Sequence, residues 1–549
     1  MVSTPDIIIT IAYILFIVTI GLWSSKKKAG TTTTSKEYFL AGKTLRWPVI
    51  GLALFATNIS CLHLISLAQS GFDTGLIYGN FEWMAAFTLI LLAVLFIPFY
   101  IRSGVSTLPD FLEKRYNGAC RNWLAGISIV SAVVIHIAFS FLAGGIVLET
   151  LFGINMYVSI IIIAALTGLY TIIGGLRAVV MTESIQSIVL IIGAILITYF
   201  AWQHIGSWEQ IKTVLHENNS LDKLSMIRPI GDKSGLSWVA VFLGYPVIGI
   251  WYWCADQTIV QRALGAKDEN HAKVGSLFCG FIKILPVFIF VFPGLLAFIL
   301  YKTGGFDLSS LPKVMKDGEM VPDSKAVYAL MITQLVPKGV VGILVAALLS
   351  GLMSQIAGAL NSISTLASYD LYKRIKPDTA DKKLVWVGRW TAGIALLLSV
   401  LLLPLLNQYQ SLFEGLSDVI AHIAPPITCV FLLGIFWGKA SAKAAQYTLW
   451  IGSVLGVVVF IINKTAGDAT LIGRIPFMMM AFYLFMACVI IQVILSYIFP
   501  VQHTEDSEKL YWKSIWEPLK EKGWPGLGNY KVLSFLLIAV MVALYWVFR

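Results

Sequence analysis

Residues 47–67, WPVIGLALFATNISCLHLISL, are long and apolar enough to cross a bilayer, yet Thr57, Asn58, Ser60 and His63 interrupt them near the middle. A polar group stranded in hydrocarbon costs several kcal/mol, so these side chains require a cavity, a neighbouring helix or a ligand. The interruption restricts the chain to folds in which this helix lies inside a bundle and lines a polar space.

The remaining sequence supplies the bundle. Of 549 residues, 58% are apolar and 13% charged, and apolar runs of about 20 residues recur from end to end. This predicts an all-α integral membrane protein, with fourteen spans near 6–23, 47–67, 78–101, 123–149, 154–174, 184–204, 236–256, 274–301, 327–365, 386–406, 413–437, 444–462, 475–499 and 532–548. The segment 327–365 is too long for one simple span, and its Gly339, Gly342, Gly351 and Gly358 predict a bend or break. If the first loop (Lys26, Lys27, Lys28, Lys36, Lys43, Arg46) is cytoplasmic, alternate loops, counting Arg389 at the start of the span 386–406, hold 27 of the 40 basic residues, against 12 outside and Lys283 within a span. That asymmetry sets the orientation, with both termini outside. It also accounts for the net charge of +10 without a nucleic-acid partner.

The opening MVSTPD has no basic n-region, which predicts a retained, outward-facing anchor helix rather than a cleaved signal. Cys61, Cys120, Cys254, Cys279, Cys429 and Cys488 fall in or beside apolar spans without CxxC spacing and imply neither disulfides nor zinc. The sequence has no Walker loop, dinucleotide glycine pattern or HExxH, hence no evident means of using ATP or hydrolysing a bond. These absences leave no evident catalytic constellation, and an energy source, if there is one, must be an ion gradient.

Secondary transporters are commonly built from inverted repeats, so a second interrupted helix is expected in a matching position. Residues 236–256, LSWVAVFLGYPVIGIWYWCAD, lie five spans after the first, and Gly244, Pro246 and Gly249 are expected to break the helix there. The resulting division is an anchor and cytoplasmic loop (1–46), a first five-helix repeat (47–204), an extracellular loop (205–235), a second, inverted repeat (236–437), and three C-terminal helices with an interfacial cytoplasmic segment (438–549). Within the last unit, 501–531 mixes charges with Trp512, Trp516 and Trp524 and is expected to lie on the membrane surface.

The stretches YFLAGKTLRWPVIG, ATNIS, FEWM, YTIIGGLRAVVMTE, WYWCADQTIVQRAL, FIKILPVFIFVFPG, LNSISTLASYDLYK, APPITCVFLLGIFW and GKASAKAA resemble the sodium/solute symporter family. Within it, they are most similar to the sodium/glucose cotransporter branch, which includes a bacterial sodium/galactose symporter. The likeness runs from about 38 to 445. It implies a leucine-transporter-type 5+5 inverted repeat with two broken helices. It also implies secondary transport of a neutral sugar or polyol, such as a hexose or inositol, coupled to sodium across a cell membrane.

A ring of hydroxyls that each donate and accept needs amides, carboxylates or ammonium groups around it and an aromatic face. Asn58, His63, Glu82, Trp251, Tyr252, Trp253 and Lys283 provide such groups. The resemblance implies that Asn58, Glu82 and Lys283 bond sugar hydroxyls, that Tyr252 is an inner gate, and that His63 matches a histidine of the animal sodium/glucose proteins. Ser417 stands where sugar symporters have glutamine. Structural alternatives accompany these roles. Lys283 could pair with Glu82 as a bridge, Asn58 could cap the broken helix, His63 could be a core histidine, and the tryptophans could form an interfacial belt.

For sodium, the resemblance implies the carbonyls of Ala56, Ile59 and Gly351 and the side chains of Ser354 and Gln355. Gln355 replaces the usual serine or threonine. Glu183 stands where many relatives have aspartate, a candidate second cation position. Gln355 leaves three outcomes open: sodium in a reshaped site, a proton in its place, or no coupling. A sodium-independent sugar uniporter and a membrane sugar sensor are the corresponding alternatives. No arginine aligns where sialic acid carriers hold a carboxylate, and His136 is the nearest candidate cation there.

Overall fold

The structure, a computed structural model, describes residues 3–24, 34–311, 313–316, 319–406, 412–514 and 516–549. Lys26, Lys27 and Lys28 of the predicted cytoplasmic loop lie outside the described residues. The chain is helical apart from one antiparallel pair of short strands, Lys313–Lys316 and Glu319–Pro322. Its long helices are α1 (Thr4–Ser24), α2 (Trp47–Asn58), α3 (Cys61–Thr74), α4 (Leu76–Arg102), α5 (Gly118–Phe152), α6 (Met156–Ile205), α7 (Trp238–Ala255), α8 (Glu269–Lys302), α9 (Val341–Ile375), α10 (Asp381–Leu401), α11 (Leu412–Phe436), α12 (Ala442–Ala466), α13 (Phe477–Ile498) and α14 (Tyr530–Val547).

Twelve of these are individually long and apolar enough to span a membrane, and α2 with α3, bent by 62° across their junction, makes one further span. α6 accounts for two. At 50 residues it would run about 75 Å if straight, more than twice the hydrocarbon thickness. Gly175 divides it with φ 62° and ψ −162°. A Cβ there would lie 2.5 Å from the Tyr38 carbonyl oxygen, so both the conformation and the space require glycine. Among the described residues the structure thus contains the fourteen spans expected from hydropathy.

The helices sort into two packed groups. α2/α3, α4, α7 and α8 pack on one another, while α5, α6, α9 and α10 form a second group around α9. Over its most apolar stretch α9 is 94% buried, against 17% for α1 and 22% for α14, so α9 is the axis of the molecule and the terminal helices face lipid. α9 crosses both α2 and α3 where those two helices meet.

Two expectations change, and the break expected within 327–365 falls at Gly339. The second break is not at Gly244–Gly249, because α7 runs through Pro246 and the chain becomes extended only at Asp256 (φ −85°, ψ 124°). Asp256 then caps the short helix Gln257–Leu264 through the Thr258 and Ile259 amides. The α7 glycines serve packing instead: a Cβ on Gly244 would meet the Met478 carbonyl oxygen at 2.1 Å, and one on Gly249 the Tyr245 ring at 2.5 Å. Residues 327–365 form a short helix, Val327–Leu335, separated from α9 by Gly339 at φ 90°, and Gly351 and Gly358 lie inside the continuous α9. The 501–531 segment packs on protein as well as facing outward. Trp512 is buried with its ring 4.5 Å from Phe99, and its indole N–H donates to Leu95, whereas Trp516 is exposed.

Candidate functional site

α2 ends when Ile59 turns extended (φ −80°, ψ 107°), and Ser60, also extended, opens α3. In a continuous helix the Ser60 amide would bond the Ala56 carbonyl. Here it donates to His63 Nδ1 at 3.3 Å, and the Ser354 hydroxyl of α9 donates to the Ala56 carbonyl at 2.8 Å. His63 thus takes the place that glutamate or glutamine fills in a capping box. With Nδ1 accepting, the neutral ring carries its proton on Nε2.

Beside the break is a cavity of about 80 Å³, room for several waters or one small polar ligand. Asn58, His63, Glu82, Tyr252, Gln355 and Ser417 all line it, bringing together side chains separated by up to hundreds of residues in sequence. Lys283 stands behind this wall. Its ammonium donates to Asn58 Oδ1 at 2.5 Å and is ion-paired with Glu82, and all three side chains are buried. The bridge reading of Lys283 and a binding role are therefore compatible: one cation fixes the orientation of both groups that face the cavity.

The aromatic wall differs from expectation in one member. Successive helical residues point about 100° apart, so 251 and 253 cannot share a face with 252 equally. Tyr252 and Trp253 line the cavity and Trp251 does not. Trp251 and Trp253 are both 2% exposed, which also removes them from an interfacial belt. Lys283 lies 5.5 Å from the Trp253 ring. Phe81 and Tyr245 also line the cavity and were not singled out by the sequence, whereas Trp253 and His136 were.

At the candidate ion position, Ala56, Gly351 and Ser354 meet: the Ser354 hydroxyl lies 3.1 Å from the Gly351 carbonyl as well as 2.8 Å from that of Ala56. A Cβ on Gly351 would lie 2.9 Å from the Cys61 amide nitrogen and 3.0 Å from the Ser60 carbonyl carbon, so glycine permits α9 to touch the break. Gln355 donates from Nε2 to His136 Nδ1 at 2.8 Å, and its Oε1 is buried with no partner among the described residues. Backbone carbonyls, a hydroxyl and an orphaned amide oxygen suit a hard, oxygen-seeking monovalent cation. Such a donor set fits sodium.

Glu183 does not fit the role of a second cation ligand. It is fully buried and ion-paired with Arg262, whose Nε lies 3.3 Å from its Oε2, and it accepts from Thr57 at 3.0 Å. A guanidinium already supplies the compensating charge. Arg262, which no local pattern singled out, lies on the short helix after the second break and ties it to α6 through Glu183, which in turn accepts from Thr57 of α2.

A family model described as the sodium:solute symporter family matches residues 38–452. Sodium/glucose cotransporter 1 of Sus scrofa is 32% identical over 525 residues, covering 90% of this chain and 79% of the relative. Sodium/myo-inositol cotransporter 2 of Oryctolagus cuniculus is 32% identical over 475 residues, covering 83% and 70%. A solved Na+-coupled sialic acid symporter, in a substrate-bound outward-open state, matches with a TM-score of 0.76 at 21% identity, over 91% of this chain and 100% of that one, which establishes a common fold. The chain belongs to the sodium:solute symporter family.

Proposed function

We propose that this membrane transporter, which is not an enzyme, carries a neutral sugar or polyol of hexose or inositol size together with sodium. The observation that carries the reading is the Asn58–Lys283–Glu82 group set against Tyr252 and Trp253. Glu82 and Lys283 cancel in charge, so the cavity wall offers polar atoms without a free cation for an acidic substrate. Asn58, His63, Glu82 and Ser417 supply donors and acceptors for hydroxyls, and the aromatic rings supply a face for the C–H side of a sugar or cyclitol. Glucose and inositol cotransporters among the relatives support the same class.

Ala56, Ile59, Gly351, Ser354 and Gln355 would hold sodium. One such cation crossing 100 mV releases about 2.3 kcal/mol, enough for nearly fifty-fold accumulation of solute. Both candidate sites include residues of the α2/α3 break, so motion of one helix group against the other around this junction changes them together. The basic-residue asymmetry supports a cell-membrane orientation with both termini outside.

Uptake of labelled hexoses and inositols into proteoliposomes tests the proposal. Replacing sodium by choline is expected to reduce uptake of the best substrate to near the protein-free rate. An unchanged rate would sink sodium coupling, and binding without counterflow would make the protein a sensor.

A further inference from the structure

Asp256, His136 and Gln355 form a buried hydrogen-bonded chain that joins the second helix break to α9. Their exposures are 3%, 0% and 4%. Asp256 Oδ1 is occupied by the Thr258 amide at 2.7 Å and the Ile259 amide at 3.3 Å, while Oδ2 lies 3.3 Å from His136 Nε2. An ionised carboxylate can only accept, so His136 Nε2 carries the proton. Nδ1 of the neutral ring is then an acceptor, and the Gln355 carboxamide 2.8 Å away must present its NH2 group. Because the carboxamide is planar, fixing the nitrogen fixes the oxygen.

The oxygen so fixed is the anomaly. Gln355 Oε1 is buried, accepts no hydrogen bond among the described residues, and belongs to the residue that follows Ser354, whose hydroxyl touches the Ala56 and Gly351 carbonyls. A buried amide oxygen without a donor is costly unless a ligand fills the gap. A hydroxyl on a one-carbon stem finds such a locus unaided, whereas glutamine has three rotatable bonds and needs a tether.

We propose that His136, oriented by Asp256, is a positioning residue that turns the Gln355 carbonyl oxygen, and not its NH2 group, toward the ion locus of Ala56, Ile59, Gly351 and Ser354. The inference rests on the sodium reading above. It assigns to this chain a device for aiming a long, flexible amide at the ion locus. Tyr252 adjoins it, with its ring 5.8 Å from His136 and its hydroxyl beside Asn58 and Gln355.

The test is a double-mutant cycle on the full chain in lipid nanodiscs. Sodium affinity is read from the sodium-dependent rise in thermal midpoint, with choline chloride balancing ionic strength, and from binding of radioactive sodium. With Gln355 present, His136→Ala is expected to weaken sodium binding by about tenfold; in the Gln355→Ser background the same change is expected to matter by less than about twofold. Asp256→Asn is the second variant. Its amide can donate to His136 Nε2, reverse the tautomer and flip the carboxamide, so a loss of about fivefold is expected with Gln355 present and none in the Gln355→Ser background. Damage to the Asp256 helix cap would act equally in both backgrounds and cancels. Equal losses in the two backgrounds, or no loss with Gln355, overturn the inference. No sodium response in the unsubstituted protein overturns the sodium reading itself.

Discussion

Lys283 and Glu82 are each almost wholly removed from solvent, so the charge on either is tolerated only because of the other. Removing one partner of a buried pair leaves a desolvated charge and costs about 3–5 kcal/mol, whereas replacing both with groups of similar volume is often close to neutral. Lys283→Met is therefore expected to lower unfolding stability by about 3 kcal/mol and to abolish sugar binding. Adding Glu82→Gln to Lys283→Met should recover most of the stability and none of the binding. Thermal unfolding and equilibrium binding, measured on both variants, separate the structural part of this pair from its part in recognition. A stable Lys283→Met protein would show that the site is wetter than its geometry implies.

At the level of helices, function depends on where continuity is lost and how closely a neighbour approaches the gap. α2 and α3 separate at Ile59 and Ser60, and α9 comes within contact of that gap because position 351 has no side chain. A methyl group there would press on backbone of Ser60 and Cys61, which cannot rotate away as a side-chain tip can. Gly351→Ala is expected to push α9 from the break and weaken sodium binding by about tenfold or more, with a smaller loss of sugar affinity at saturating sodium. Sodium titrations of thermal stability and of sugar binding check the order of the two effects. Equal losses would mean that the methyl group distorts the break as a whole.

Across the molecule, the ion pair of Glu183 and Arg262, with the Thr57 hydroxyl, joins α6, the helix after the second break and α2 on the side where the basic loops concentrate. A pair held across the two helix groups opposes their separation there. Glu183→Gln is expected to open this side and speed alkylation of buried Cys61 by about fivefold when a membrane-impermeant maleimide is applied from that side. The measurement uses a chain whose other five cysteines have been replaced. An unchanged rate would show that the pair braces the fold without closing a path.

Hydropathy and charge along the chain are sufficient to predict fourteen spans, an orientation and a polar break at Asn58–His63, because each depends on what one segment does in a bilayer. The resemblance to a known family adds the expectation that Asn58, Glu82, Lys283 and Tyr252 converge. What the chain alone does not disclose are relations between distant segments. Proline and glycine in α7 suggest a break, yet close packing against Met478 and Thr88 holds that helix, and Asp256, able to cap a new helix start, takes the break instead. Glu183 reads as a cation ligand until folding brings Arg262 across 79 positions to meet it. The Gln355 side chain has no assignable direction until His136, 219 positions away, fixes its amide. Composition and local pattern determined that this protein spans a membrane around a polar helix break. Only the tertiary structure decided which buried charges are mutually satisfied and which oxygen is left for a ligand, since those depend on partners that contact one another only after the helices pack.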